Sequence, residues 1–238
     1  MDKTVTHIHF KPMKRSTFWL VFFGITGVAE LLAVSMNWTS VQYVAKPLIM
    51  LSLVGYFFFS TTARSIYFTM ALLFCWAGDV LLLFQDSMAH FFIFGLVAFL
   101  IGHMLYIVSY RQFRHGDKSN ELLPTQKFRY SLPIILAGTG LIVILYPNLG
   151  SLQIPVLVYA VVLMLMVLAA LMRFGRTTPT SFWMIFLGAV LFMISDSSLA
   201  INKFYAPFEN SGLAIMITYI AAQYLIVEGA VQHEISNS

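Results

Sequence analysis

The sequence predicts an all-α membrane protein, a polytopic bundle of eight transmembrane helices with both termini cytoplasmic. Three observations predict it. The 238 residues are 59% hydrophobic and only 10% charged, where a soluble domain carries about 25% charged residues. Apolar runs of about 20 residues, long enough to cross the hydrocarbon core as helices, follow one another with little left over for a soluble domain. Lys and Arg are distributed unevenly between the two sides that these runs define, as the cytoplasmic bias of basic residues requires.

The segments fall at roughly 17–36, 43–60, 66–85, 89–110, 129–146, 152–172, 181–203 and 210–230, each spanning by the length rule. Residues 17–230 then form a single membrane domain between tails at 1–16 and 231–238. Segment one follows Lys14 and Arg15, as a secretory signal would, but it is long for a signal core and carries Glu30, so it reads as a retained helix. Trp19 and Trp38 flank it as an aromatic belt. Segment two holds Lys46-Pro47 near its start, and segment three holds Gly78-Asp79 and the one cysteine, Cys75. A single cysteine excludes a disulfide within the chain.

Segment four contains His103 and Tyr106. The connection after it, 111–128, is polar and basic, with neither a Gly-rich phosphate cradle nor a cluster of metal ligands. It reads as a connector lying near anionic headgroups. Pro47, Pro133 and Pro155 fall in proposed first turns, and the other prolines in loops or at ends, the positions a helix tolerates. Segment seven carries Ser195-Asp196, and segment eight carries Tyr219 and Gln223, four residues apart on one face. The phenylalanine-rich runs and the 13 methionines read as lipid-facing and packing residues. His7 and His9 belong to the N-terminal tail and read as solvated.

With the N-terminus inside, every one of the 14 Lys and Arg residues except Lys46 and Lys203 falls on the inner side. Those two sit at the outer ends of segments two and seven. The net charge of +4 is therefore a topology signal, not a nucleic-acid surface.

Ionisable groups at bilayer depth are costly and mark either function or a structural pair. The topology sets Glu30, Asp79 and Asp196 about six or seven residues from the outer ends of their helices, about 9 Å deep at 1.5 Å per residue. Lys46 and Tyr159 join them at that level, while His103 lies nearer the middle of its segment. Pairing alone accounts for any one of these, as Glu30 or Asp79 with Lys46, or His103 at a helix–helix contact. Two aspartates at one depth beside small residues, Gly78 and Ser195, point instead to an accessible polar pocket. Carboxylates in close approach cannot easily both ionise, so one would serve as acid and the other as base. Gly78-Asp79 and Ser195-Asp196 also occupy equivalent places in two sets of four helices, but the match is only a few residues long and reads as coincidence.

Two stretches carry a family resemblance. Phe74-Cys75-Trp76-Ala77-Gly78-Asp79-Val80-Leu81-Leu82 and Gly188-Ala189-Val190-Leu191-Phe192-Met193-Ile194-Ser195-Asp196, continuing through Ser197-Ser198-Leu199-Ala200 to Lys203-Phe204, resemble motifs of the YhhN-like, lysoplasmalogenase family. Lys46-Pro47, Gly102-His103 with Tyr106, and Tyr219, Gln223 and Gly229 match in the same order. The resemblance implies an eight-helix membrane enzyme, in a bacterium an inner-membrane one, that hydrolyses the vinyl ether bond of lysoplasmalogens. Fatty aldehyde and a glycerophospho-base, ethanolamine or choline, are the implied products. The implied partners are a lysophospholipid substrate and the surrounding lipids, with no nucleic acid and no metal or organic cofactor. No feature specifies an oligomeric state.

Acid-labile vinyl ethers suit an aspartate pair, so Asp79 and Asp196 are the expected catalytic residues. Glu30, Lys46, His103, Tyr159, Ser195, Lys203, Tyr219 and Gln223 are expected around the substrate, with Lys46 or Lys203 on its phosphate. A proton-coupled transporter or lipid carrier would use the same intramembrane acids. A metal-dependent hydrolase would need more histidine than His103 and His90 supply within the membrane.

Overall fold

The computed structural model describes residues 15–237 apart from 63, 86 and 118. The basic N-terminal stretch with His7 and His9, and Lys118 in the long connection, lie outside the described residues. The architecture is all-α: α1 (Arg15–Ser35), α2 (Thr39–Ser60), α3 (Ile66–Leu83), α4 (Ala89–Gln112), α5 (Pro124–Leu145), α6 (Gln153–Leu171), α7 (Pro179–Phe204) and α8 (Ser211–Asn237), with two short 3₁₀ turns between α5 and α6. Among the described residues these eight helices are long and apolar enough to cross a bilayer. The chain is a multi-pass integral membrane protein, and the even count returns it to the end of the bundle from which it starts.

Three helices differ from their expected bounds, each for a physical reason. α2 begins at Thr39, so Pro47 lies inside the helix instead of in its first turn. α5 begins at Pro124, with Gln126 accepting from the Leu123 amide at 2.9 Å to close the first turn. Pro124 therefore starts the helix and Pro133 is interior. Both interior prolines forgo one helical hydrogen bond, which a packed membrane helix tolerates. α8 runs on to Asn237 through the residues expected as a tail, because Val231 and His233 are buried there.

Consecutive helices pack as hairpins, α1 with α2, α3 with α4 and α7 with α8. α6 joins α4 to α7, and α8 also reaches α1 and α2. Lipid tails are as apolar as leucine, so these contacts depend on close backbone approach. A Cβ added at Gly188 would lie 2.9 Å from the Ala222 carbonyl oxygen of α8, and one at Gly229 would lie 3.0 Å from the Ile185 amide of α7. The core between the hairpins is built from Ile49, Leu53, Phe57, Phe68, Tyr106, Phe192 and Ile226, with Phe57 stacked at a tilt on Phe68.

The end of the bundle that carries the 113–123 connection, here the basic end, is tied by one side chain. Arg173 is fully buried. Its guanidinium donates to the carbonyls of Phe113 at 3.1 Å and Ser181 at 3.2 Å, and to the Ser181 hydroxyl at 2.7 Å. Ser181 in turn donates to the Gly229 carbonyl at 2.7 Å, so three polypeptide segments meet on one cation. Burial pulls the Arg173 guanidinium down to about 9, which leaves it protonated at neutral pH. Gly175, at φ +69°, completes the junction: a Cβ there would lie 1.8 Å from the Asn120 carbonyl oxygen, so only glycine fits.

Replacing Gly188→Val should force α7 and α8 apart. Overpacking of this kind costs about 1–3 kcal/mol, seen as a lower melting temperature of the detergent-purified protein. Gly24→Ala, where an added Cβ meets nothing within 4 Å, should melt with the parent.

Candidate active site

The opposite end of the bundle, closed by the short connections after α1, α3, α5 and α7, holds a cavity of about 130 Å³. Its walls come from α2 to α8 and are mostly apolar, with Leu96 and Phe99 of α4 facing Leu141 and Leu145 of α5. Into this apolar space project Lys46, Asp79, Tyr159, Ser195, Asp196, Lys203 and Tyr219. All seven are among the residues the sequence singles out, and the fold brings them together from five helices.

Asp79 stands where α3 presses against α4. A Cβ at the preceding Gly78 would lie 2.5 Å from the Phe99 ring, so glycine permits the approach that buries the carboxyl group. Asp79 is 2% exposed. Its Oδ2 accepts from the Tyr219 hydroxyl of α8 at 2.6 Å. Tyr219 is itself approached by the Gln223 amide at 3.4 Å, and Gln223 Oε1 accepts from Tyr106 of α4 at 2.9 Å. A chain of hydrogen bonds thus runs from α4 through α8 to Asp79. Among the described residues neither aspartate makes a further hydrogen bond, which leaves Oδ1 of each without a protein partner.

Asp196, half-buried, has an independent support: its Oδ2 accepts from the Tyr159 hydroxyl of α6. The adjacent Ser195 hydroxyl donates to the Ile215 carbonyl at 3.1 Å and so anchors α7 to α8 beside the carboxylate. The two aspartates interact electrostatically across the cavity. Each therefore has one oxygen fixed by a tyrosine, in largely apolar surroundings that strengthen charge–dipole contacts.

Lys46 lies within electrostatic reach of both Glu30 and Asp79, but among the described residues no ion pair closer than 4 Å joins it to either. Lys203 stands at the rim. Its ammonium donates to Gln85 Oε1 at 3.2 Å and sits 4.2 Å from the centroid of the Phe92 ring. Gln85 and Phe92 were not singled out by sequence reasoning. Counting depth along α3 and α4 would have set both at the level of Lys203.

Three expected residues stand behind the wall. Glu30 is 1% exposed, with Oε2 unpartnered, and does not line the cavity. Gln223 acts on the cavity only through Tyr219. His103 is fully buried, and among the described residues neither of its ring nitrogens has a hydrogen-bond partner. Its ring packs edge-on to Phe192 at 4.7 Å and beside Tyr159 at 5.4 Å.

Comparison with known proteins adds a separate line of information. The YhhN family model matches residues 41–230. The chain is 33% identical over 165 residues to lysoplasmalogenase TMEM86A of Bos taurus, an alignment covering 68% of this chain and 63% of that protein. It is 34% identical over 141 residues to a lysoplasmalogenase of Mycobacterium bovis, covering 58% of this chain and 50% of that one. With human lysoplasmalogenase TMEM86B it shares 30% identity over 155 residues, covering 65% and 59%. The chain thus spans 63%, 50% and 59% of the length of these relatives. No solved structure is significantly similar to it.

Tyr219→Phe and Asp79→Asn should not be additive in stability. Groups in direct hydrogen-bond contact couple by about 0.5–3 kcal/mol. A double-mutant cycle on thermal unfolding in detergent measures the coupling, and additivity would mean that hydroxyl and carboxylate do not meet.

Proposed function

The chain belongs to the YhhN family, and from that premise we propose that it is a membrane hydrolase cleaving the vinyl ether bond of lysoplasmalogens. The observation that carries the reading is the pair of carboxylates, each bonded to a tyrosine, on one apolar cavity beside two lysines. The names of its relatives point to the same substrate class.

A vinyl ether resists base and yields to acid, so the reaction begins with a proton on carbon. One aspartic acid of the Asp79–Asp196 pair gives its proton to the alkene carbon that bears no oxygen. The π electrons form the new C–H bond and leave an oxocarbenium ion. The carboxylate just formed lies beside that cation and stabilises it. Water adds to the cationic carbon and loses a proton to the second aspartate, now acting as base. The hemiacetal then breaks its C–O bond to glycerol. The second aspartate returns its proton to the departing oxygen, and the hemiacetal hydroxyl re-protonates the first. Atoms balance to one water consumed, one aldehyde and one glycerophospho-base released, with both aspartates restored.

The remaining residues have supporting parts. Tyr219 and Tyr159 hold one oxygen of each carboxylate and so aim the other at the substrate. Lys46 and Lys203 engage the phosphate, Lys203 being steadied by Gln85 and Phe92. Ser195 fixes the α7–α8 contact beside Asp196. Glu30 holds the charge balance around Lys46 from behind the wall. His103 wedges Tyr159 against Phe192. The cavity end faces away from the cytoplasm, since all Lys and Arg but Lys46 and Lys203 belong to the other side.

Asp79→Asn and Asp196→Asn, each purified as a monodisperse folded protein, should lose aldehyde release from lysoplasmalogen by about 100-fold or more. The parent protein should release aldehyde from that substrate and no fatty acid from the matching ester lysolipid. Full turnover in either variant would remove the aspartate pair from the mechanism, and substrate uptake without product would favour a carrier. Separately, a reporter fused after Ser238 should work only in the cytoplasm; activity on the far side would invert the orientation.

A further inference from the structure

A second opening lies on the lateral wall, where α5 is loosely seated. Only Gly138 and Leu145 of α5 are buried, and the helix packs on α6 while touching α7 lightly. Between α5 and α7 runs a groove walled by Ala137, Gly140 and Ile144 on one side and by Val190, Met193 and Ile194 on the other. Its serines offer no free donor, because Ser197 and Ser198 spend their hydroxyls on the carbonyls of Met193 and Ile194. Leu141 and Ser197 line both this groove and the cavity of the aspartates, so the two spaces adjoin across these two side chains.

The polar groups of the cavity gather around the aspartates, where a vinyl ether and its attacking water would meet them. A long hydrocarbon chain joined to that ether has to extend away from them along an apolar surface. The groove supplies one, running from Ser197, next to Asp196, down α7 to Val190. From Pro133 to Ile144 it spans eleven helical rises, about 16 Å or about half the hydrocarbon core, and it descends from the level of the aspartates toward the bilayer midplane.

We propose that the α5–α7 groove is the seat of the substrate's hydrocarbon chain and the route by which it enters from the bilayer. The inference rests on reading the cavity as a site for lysoplasmalogens. Headgroup, reacting bond and chain then lie in one line along the membrane normal, at Lys46 and Lys203, at the aspartates, and between α5 and α7. Gly140 sets the free width of the seat. A Cβ at Gly140 meets nothing within 4 Å, so the position is open and a large side chain there has the groove to occupy.

The test uses the full chain in lipid nanodiscs and a lysoplasmalogen carrying a photoreactive diazirine at the end of its chain. Cross-links located by mass spectrometry should fall on the groove faces of α5 and α7 and should be competed by unmodified lysoplasmalogen. Gly140→Phe should reduce this labelling, and should lower kcat/KM for a long-chain substrate by roughly tenfold or more while a short-chain analogue stays within about twofold. Val143→Phe, on a 67% exposed position of the same helix that lines neither space, should change neither. Labels on other helices, labelling that lysoplasmalogen does not compete, or equal losses for long and short chains would overturn the proposal. Competed labelling in the groove with no aldehyde from any substrate would overturn the reaction and leave the groove standing as a lysolipid site.

Discussion

A carboxylate placed at bilayer depth must be answered by the protein, because no bulk water is there to solvate it. Asp79 and Asp196 are each answered by one tyrosine hydroxyl. That constraint sets much of the architecture. Tyr219 must come from α8 and Tyr159 from α6, so α8 has to stand within a tyrosine's reach of α3, and α6 has to pack on α7. The small residues at Gly78 and Gly188 allow the close helix contacts on which those distances depend. A tyrosine suits the task because it supplies one donor on a rigid, largely apolar ring.

The two ends of the bundle solve different problems. At the basic end a single buried guanidinium spends its donors on backbone and hydroxyl oxygens and locks three segments together. At the cavity end, the polar atoms are only partly spent: among the described residues each aspartate keeps an oxygen without a partner, and Lys46 has no close ion pair. Satisfied polar networks rigidify a structure, and incompletely satisfied ones are costly. Functional sites are where such a cost is expected to be retained.

The helix count was legible because eight apolar runs are an unambiguous signal. Their ends were less so, for hydropathy measures the thickness of the bilayer and not the length of the helix. Residues 124–130 of α5 and the last turns of α8 are polar yet helical, and therefore invisible to that reading. Depth was legible too, since it follows from counting along each helix, and it set Glu30, Lys46, Asp79, Tyr159 and Asp196 at one level, four of which line the cavity. Direction around the helix axis was not. His103 belongs to a wall helix, α4, but stands behind the wall; Glu30 belongs to α1, which does not line the cavity; and Tyr219 meets Asp79 only because its long side chain reaches from α8 toward α3. Nor could the sequence reveal that α5 stands partly apart, because its composition resembles that of its better-packed neighbours.

With the chain seated as proposed, the cavity has two exits of opposite character, a rim carrying lysines and a seam facing hydrocarbon. For the reaction proposed here, this amounts to a phase boundary built into a protein. Cleavage turns one amphiphile into two molecules that no longer share a solvent preference: an aldehyde that partitions into oil and a glycerophospho-base that partitions into water. Each product finds its own medium at the exit nearest to it, so departure of either need not wait on the other. Recombination would require both to return from different phases to the same cavity, so the separation of the products favours hydrolysis and the exits let each one leave promptly.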